Sequence, residues 1–369
     1  MSTPLFIGSE IYRATAFQPP HPLAVLRAPL VEDLCRAMGW LPEARYLASP
    51  QADRVALARF HSGDYLDALS RAEAEQALPE ALRLKYRIGA DSNVIHPAVY
   101  RRPAISAGGA IFAAKLTREG GTVHAPGAGN HHGRPDRASG FCFVNDAVLG
   151  IMEWLGQGLR RIAYLDLDAH HGDGVEAAFA DDPRVLTISL HEAGRWPRTG
   201  TGSLPESAIY NFPVPPGFND SELDYLMDRA ILPLMRDHRP EAIMVLPGAD
   251  ALEEDPMARL GLSNHGLREA VALAAGLAPR LIVLGGGGYN PYALARAWSG
   301  IWAGLNGFAI PDILPEPALD VLASIRYFRA AGRNPPRHWL TSIADPPRHG
   351  EIRDEVRRLA GTAMEEKAG

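Results

Sequence analysis

The chain has 369 residues, 46% hydrophobic and 22% charged, enough apolar side chain for a large soluble core. Its formal net charge of −6 argues against a nucleic-acid binder, and no apolar run is long enough to span a bilayer. Cys35 and Cys142 are too few for a disulfide framework, and the first residues lack a signal peptide's basic start and apolar core, so a cytoplasmic protein is expected.

The first hundred residues read as helical and loop-rich. From about residue 105, helices alternate with short apolar runs: helices at 105–117 and 143–157, a strand at 162–168, a short helix from Val175, and a strand at Arg184–Leu190. A helix follows at Ser221–Asp237, with Ser221 or Asp220 as its cap. Strands at Ala242–Leu246 and Arg280–Leu284 flank a helix at Leu267–Leu277, and a last helix covers Pro291–Leu305. Residues from about 310 are Pro-rich and then charged, with a surface helix and frayed tail at Glu351–Lys367. No linker or repeat divides the chain, so one domain over 1–369 is expected. Strands separated by helices imply right-handed βαβ units and a parallel sheet.

Such sheets bind ligands at the carboxyl ends of their strands. The first central strand runs into Asp166-Leu167-Asp168-Ala169-His170-His171-Gly172-Asp173-Gly174. At a period of two, Asp166, Asp168 and His170 share a face. A solvated loop rarely carries so many ionisable groups at that spacing, so metal binding is the stronger reading. Asp250, after the third strand, would ordinarily be a helix cap, but it falls on the same sheet edge. Asp168, His170 and Asp250 make a donor set for a catalytic divalent ion. Gly285–Gly288 match neither a P-loop nor a dinucleotide fingerprint. They let backbone approach a bound group and hold Tyr289, otherwise a core tyrosine, beside it. Upstream, His131 and His132 lie in a Gly- and Pro-rich loop. They are surface residues, metal ligands, or two bases oriented by the spare acids Asp166 and Asp173.

Four motifs in order, His131-His132 with Ser139–Cys142, Asp166–Gly174, Gly248–Asp250 and Gly285–Tyr289, resemble the histone deacetylase superfamily. The resemblance runs from about Ile11 to Asn306, on the branch of bacterial acetoin-utilisation-type and class I enzymes, related to the acetylpolyamine amidohydrolases. Residues 310–369 are left as an extension packed on the domain or trailing from it. The resemblance implies the arginase/deacetylase fold, α/β, with an eight-stranded parallel sheet flanked by helices.

It also implies an amidohydrolase that removes acetyl or other acyl groups from lysine, with zinc, or ferrous iron in the cell, on Asp168, His170 and Asp250. His131 would pair with Asp166 and His132 with Asp173, His132 acting as general base and then acid, while Tyr289 binds the oxyanion. Gly140, Phe141, Gly287 and Met257 would contact substrate, Asp91 would hold its backbone at the mouth, and Arg27 would stand by an internal exit channel. One structural potassium site would use Asp166, Asp168, His170, Ser189 and Leu190, and a second Phe179, Asp182, Val185 and Tyr210. The partner would be acyl-lysine in a protein or peptide, or a small N-acyl amine. Neither nucleic acid nor membrane is expected, and the oligomeric state is open.

Three departures bear on specificity. Where relatives carry a tunnel phenylalanine, this chain has Arg198, with Trp196 as the substitute wall. Residue 130 is Asn where an apolar residue is expected, and Met257 stands for Leu. A cation at the rim would disfavour a polyamine, whereas Glu192, Glu253 or Glu254 at the mouth would favour one.

Overall fold

The computed structural model describes residues 3–14 and 16–368. Eight strands form one sheet: β1 (Leu5–Gly8), β2 (Tyr46–Ala48), β3 (Gly121–Ala125), β4 (Ile162–Asp166), β5 (Val185–Glu192), β6 (Ile209–Val214), β7 (Ala242–Leu246) and β8 (Arg280–Leu284). Every neighbouring pair is parallel, and the order is β2-β1-β3-β8-β7-β4-β5-β6. Every residue of β4, β5 and β7 is buried, because helices cover both faces. This explains why β4 and β7 read as nearly unbroken apolar runs, whereas β5 alternates Leu186, Ile188 and Leu190 with Thr187, Ser189 and His191 although both its faces are buried.

Four strands, β1, β2, β3 and β6, escaped the sequence reading. β2 has three residues, β3 (Gly121-Thr122-Val123-His124-Ala125) is diluted by polar side chains, and β6 carries Asn211 and Pro213. Pro213 is tolerated because β6 is an edge strand. β4 ends at Asp166, not 168. Beyond it the backbone curls, the Asp168 N–H donating to Asp166 Oδ1 at 3.1 Å and the His170 N–H to Asp168 Oδ1 at 2.9 Å.

The helix expected at Ser221–Asp237 is broken into Asp220–Leu226, a π-helical turn at Met227–Ile231, and Leu232–His238. Pro233 lacks the N–H an unbroken α-helix would need there. Its cap is neither Ser221 nor Asp220 but Asn219, reciprocally bonded with Glu222. The helix near the end spans Asp354–Ala368 and packs on the body. Its Val356, Ala360 and Ala363 join the main core, while Glu222 takes Arg353 at 2.6 Å. No helix among the described residues is long and apolar enough to cross a membrane.

The topology positions the site. The chain leaves β3 and returns as β4, and the gap between them is filled later by β8 and β7. The loops after β3, β8, β7 and β4 therefore meet at one carboxyl edge, the switch point where open α/β sheets bind ligands.

Candidate active site

The loop after β3 carries His131 and His132; that after β4 carries Asp168, His170 and Asp173; that after β7, Asp250; and that after β8, Gly285–Tyr289. Two imidazole–carboxylate pairs result. His131 Nδ1 lies 2.7 Å from Asp166 Oδ2, and His132 Nδ1 lies 2.7 Å from Asp173 Oδ1. Tyr164 donates to Asp166 at 2.7 Å, and Arg134 holds the other oxygen of Asp173. The histidine rings are 3.9 Å apart. Of the three readings open for these histidines, the surface one is wrong, since both are buried.

The paired imidazoles differ in charge. Burial disfavours protonation of His131, but Asp166 and Asp168 outweigh it and raise its pKa to about 9. For His132, burial together with the charge on His131 prevails over Asp173 and lowers the pKa to about 3. The two imidazoles are thus pushed in opposite directions, His131 toward the protonated form and His132 toward the neutral one.

Asp168, His170 and Asp250 offer ligand atoms within 4.8 Å of one another, all three buried. His170 Nδ1 is 3.1 Å from Asp168 Oδ1 and 2.9 Å from Asp250 Oδ2. Burial opposes a charge on His170, yet Asp250 and Asp168 raise its pKa to about 10, so the pocket strongly favours a cation. Burial and the charge of Asp168 push Asp250 upward, for the same reason. The remaining carboxylate oxygens are oriented by backbone: the Gly287 N–H donates to Asp168 Oδ2 at 2.6 Å and the Ala169 N–H to Asp250 Oδ1 at 3.0 Å. A Cβ on Gly287 would overlap the Asp250 carboxylate, so the glycine run brings bare backbone against the donors. This donor set fits a divalent d-block ion.

Tyr289 is buried, and burial with the charges of Asp250 and Asp168 keeps its phenol protonated. Asp255 positions it, accepting from the Tyr289 N–H at 2.6 Å and the Asn290 N–H at 3.2 Å. Asp255 was missed by the sequence reading; its one signal was the acid run Glu253-Glu254-Asp255 just after Asp250.

A cleft of about 500 Å³ leads inward between Phe141 and Trp196, past Asp91 and Met257. Phe141 (φ +67°) is held in the left-handed region by Asn93, whose Oδ1 accepts from its N–H at 2.9 Å. Trp196 sets its edge against His132 with ring centres 4.7 Å apart. Gly140 (φ +53°) permits this, because a Cβ there would stand 2.5 Å from both Trp196 and His132. Asp91 is exposed at the rim and paired with Arg87 at 2.9 Å. The cleft narrows to about 40 Å³ beside His131, His132, Gly287 and Tyr289, and a chamber of about 100 Å³ lies behind, lined by Tyr12, Arg27, Arg102 and Asn130. Asn130, unexpected for its polarity, bonds Ser106 at 3.0 Å and Asp146 at 2.5 Å.

Two expectations about the mouth are corrected. Arg198 is exposed and lines none of these cavities; Trp196 is the wall, and the rim cations are Arg87 and Arg137. Glu192, Glu253 and Glu254 do not reach the mouth. Glu192 is buried in a bidentate pair with Arg195 at 2.6 and 2.7 Å, and Arg348 takes both Glu253 and Glu254. Of the residues assigned to potassium, Asp166 and Ser189 are register partners on β4 and β5. Asp182 accepts from Val185 through its carbonyl at 3.0 Å, while its carboxylate is taken by Arg184 at 2.6 and 2.7 Å.

The sequence pattern of the histone deacetylase domain matches residues 21–305. Histone deacetylase 8 of Xenopus tropicalis is 33% identical over 300 residues, covering 79% of this chain and 80% of that protein. The acetoin utilization protein AcuC of Bacillus subtilis is 31% identical over 322 residues, covering 83% of each. Among solved structures, the histone deacetylase homolog from Aquifex aeolicus superimposes with a TM-score of 0.92 at 32% identity, over 98% of this chain and 100% of that one. A histone deacetylase homolog complexed with SAHA matches equally well.

Proposed function

The chain belongs to the histone deacetylase family and is an amide-bond hydrolase; from that premise we propose that it is a zinc-dependent deacylase of lysine side chains. The observation that carries this reading is the buried Asp168–His170–Asp250 donor set at the foot of a narrow cleft, beside two imidazole–carboxylate pairs. Those three residues would hold the ion, zinc or, in the cell, ferrous iron. When bound, it polarises the acyl carbonyl and acidifies a water.

The chain's own groups do the rest. Phe141 and Trp196 flank the aliphatic stem of an acyl-lysine, with Gly140, Gly287 and Met257 completing the contact surface and Asp91 accepting from substrate backbone at the rim. Neutral His132 takes the proton of the attacking water at Nε2, its Nδ1 being held by Asp173, and returns it to the departing amine. Cationic His131, fixed by Asp166, offsets the negative charge that develops. The Tyr289 hydroxyl donates to the carbonyl oxygen as it becomes anionic, a contact of roughly 3–4 kcal/mol in comparable sites. Phenol and imidazole are both needed because two carboxylate ligands leave the ion less electrophilic than three histidines would.

The reading extends to structural potassium. Asp166, Asp168, His170, Ser189 and Leu190 supply oxygens for one ion; Phe179, Asp182, Val185 and Tyr210 for another, through backbone carbonyls in the case of Asp182. The protein forms one deacetylase domain over 1–369, and the described part of its extension, from 310 onward, packs against the body.

The test is hydrolysis of an acetyl-lysine peptide against an N-acetylpolyamine by zinc-loaded protein, with a chelated control. Faster, chelator-sensitive release from the peptide supports the proposal. Faster release from the polyamine would transfer it to small-amine chemistry, which the neutralised Glu192, Glu253 and Glu254 disfavour.

A further inference from the structure

Outside the active site, a second set of metal-ligand atoms comes together where the C-terminal segment crosses the body. Glu254, His338 and Asp345 offer ligand atoms within 4.8 Å of one another. They come from three places: the loop after β7, the short helix Arg337–Thr341, and the segment behind it. Each carboxylate is gripped through one oxygen by an arginine. Arg348 holds Glu254 Oε1 at 2.7 Å, and the fully buried Arg296 holds Asp345 Oδ1. Such outer contacts orient a ligand and leave its other oxygen free.

One of those free oxygens is an anomaly. The Glu254 side chain is only 8% exposed, and its Oε2 is buried with no hydrogen-bond partner among the described residues. A buried carboxylate oxygen without a partner carries a desolvation cost that a ligand would relieve. His338 is exposed, so the site opens to solvent on that side and an ion can enter.

We propose that Glu254, His338 and Asp345 bind a divalent d-block cation, with zinc as the natural probe, in a site separate from the active centre. One imidazole and two carboxylates are the same donor types as in the active site, and they suit the same class of ion. The role would be that of a clasp. Glu254 is followed by Asp255, which accepts from the Tyr289 N–H, and the Glu254 carbonyl accepts from Asn290 Nδ2 at 3.0 Å. Asp345 is anchored through its own N–H to Asn264 at 2.8 Å. A bound ion therefore ties residues 338–345 to the loop that carries Asp250 and positions Tyr289.

The test is equilibrium dialysis of full-length protein against zinc chloride, with metal counted per chain, in wild type, His338→Ala and Asp250→Ala. His338 is exposed, so its replacement leaves the fold intact; Glu254→Gln serves as a second, isosteric variant. The expected result is one zinc equivalent fewer in H338A than in wild type, or its affinity weakened at least tenfold. The same equivalent is retained in D250A and raises the thermal midpoint of that variant. Wild-type stoichiometry and affinity in both H338A and E254Q would overturn the proposal. Loss of the other equivalent in Asp250→Ala reports on the active-site assignment, and loss of this one in His338→Ala on the proposed site, so failure of one assignment is distinguishable from failure of the other.

Discussion

The foot of the cleft and its mouth are built on opposite terms. At the foot every carboxylate is buried and each is fixed by a partner: Asp166 by His131 and Tyr164, Asp173 by His132 and Arg134, Asp168 and Asp250 by backbone N–H groups. At the mouth Trp196 is 46% exposed, Asp91 and Arg87 pair in solvent, and Met257 is half-buried. Groups buried in low dielectric without partners are costly, so the foot tolerates few alternatives. Exposed pairs contribute roughly 0–1 kcal/mol, so the mouth can change at small cost to the fold. The foot is therefore fixed where the protein is dry, and the mouth is free to vary where it is wet.

The largest expected effect tests the foot directly. Asp250→Ala should abolish the active-site metal and lower kcat/KM by roughly three orders of magnitude or more, measured as zinc content and peptide hydrolysis. Stoichiometric active-site zinc in that variant would break the assignment. Tyr289→Phe should keep the metal and lose about 10²–10³ in kcat, as for removal of an oxyanion donor. Unchanged kcat would remove the phenol from the mechanism.

A third measurement probes the support beneath the foot. His61 accepts from the Asn145 N–H at 3.0 Å and contacts the Arg134 carbonyl through Nδ1 at 3.0 Å, bracing the loop that carries His131 and His132. Burial lowers its pKa to about 4, despite the hydrogen bonds to the Arg134 and Pro135 carbonyls. The unfolded chain takes up this proton near pH 6.5 and the folded chain only near 4, so stability falls as pH drops through that window. The loss amounts to about 3 kcal/mol for this group. Denaturant unfolding at pH 7 and pH 4.5 should show a smaller decline in His61→Gln than in wild type; identical declines would refute the role.

At the mouth the effects shrink. Trp196→Ala should raise KM for an acyl-lysine peptide by about tenfold with kcat nearly unchanged, the size expected for lost apolar contact. A kcat collapse instead would mean that Trp196 supports His132 rather than substrate. Arg87→Ala should alter stability by less than about 1 kcal/mol, read by thermal unfolding.

What could be read from the sequence follows the same division. Asp168, His170 and Asp250 were legible because each follows an apolar strand that must be buried, and strand ends in a parallel sheet share an edge. The dyads were visible only as a count of spare acids and histidines, since His131 and Asp166 are joined by the fold and not by local pattern. Asp255 was missed because an acid bonding backbone N–H groups across 34 residues has no local signature. Asn219, the actual cap, was passed over in the sequence because its neighbours Asp220 and Ser221 are equally good capping types. The mouth was read least well: Glu192, Glu253 and Glu254 look free in sequence, and only the fold brings Arg195 and Arg348 to them.

The placement of β7 and β8 between β3 and β4 has a kinetic consequence. The residues that meet at the active edge span positions 131 to 289, and every strand contact in the sheet is parallel, so none closes through a tight hairpin. During synthesis the chain must therefore carry Asp168 through more than a hundred residues of elongation before the loop after β8 brings the Gly287 N–H to it. Long-range pairing of this kind is slow and leaves strand edges exposed meanwhile. The same order that concentrates four loops at one edge makes the active centre one of the last parts of the molecule to form.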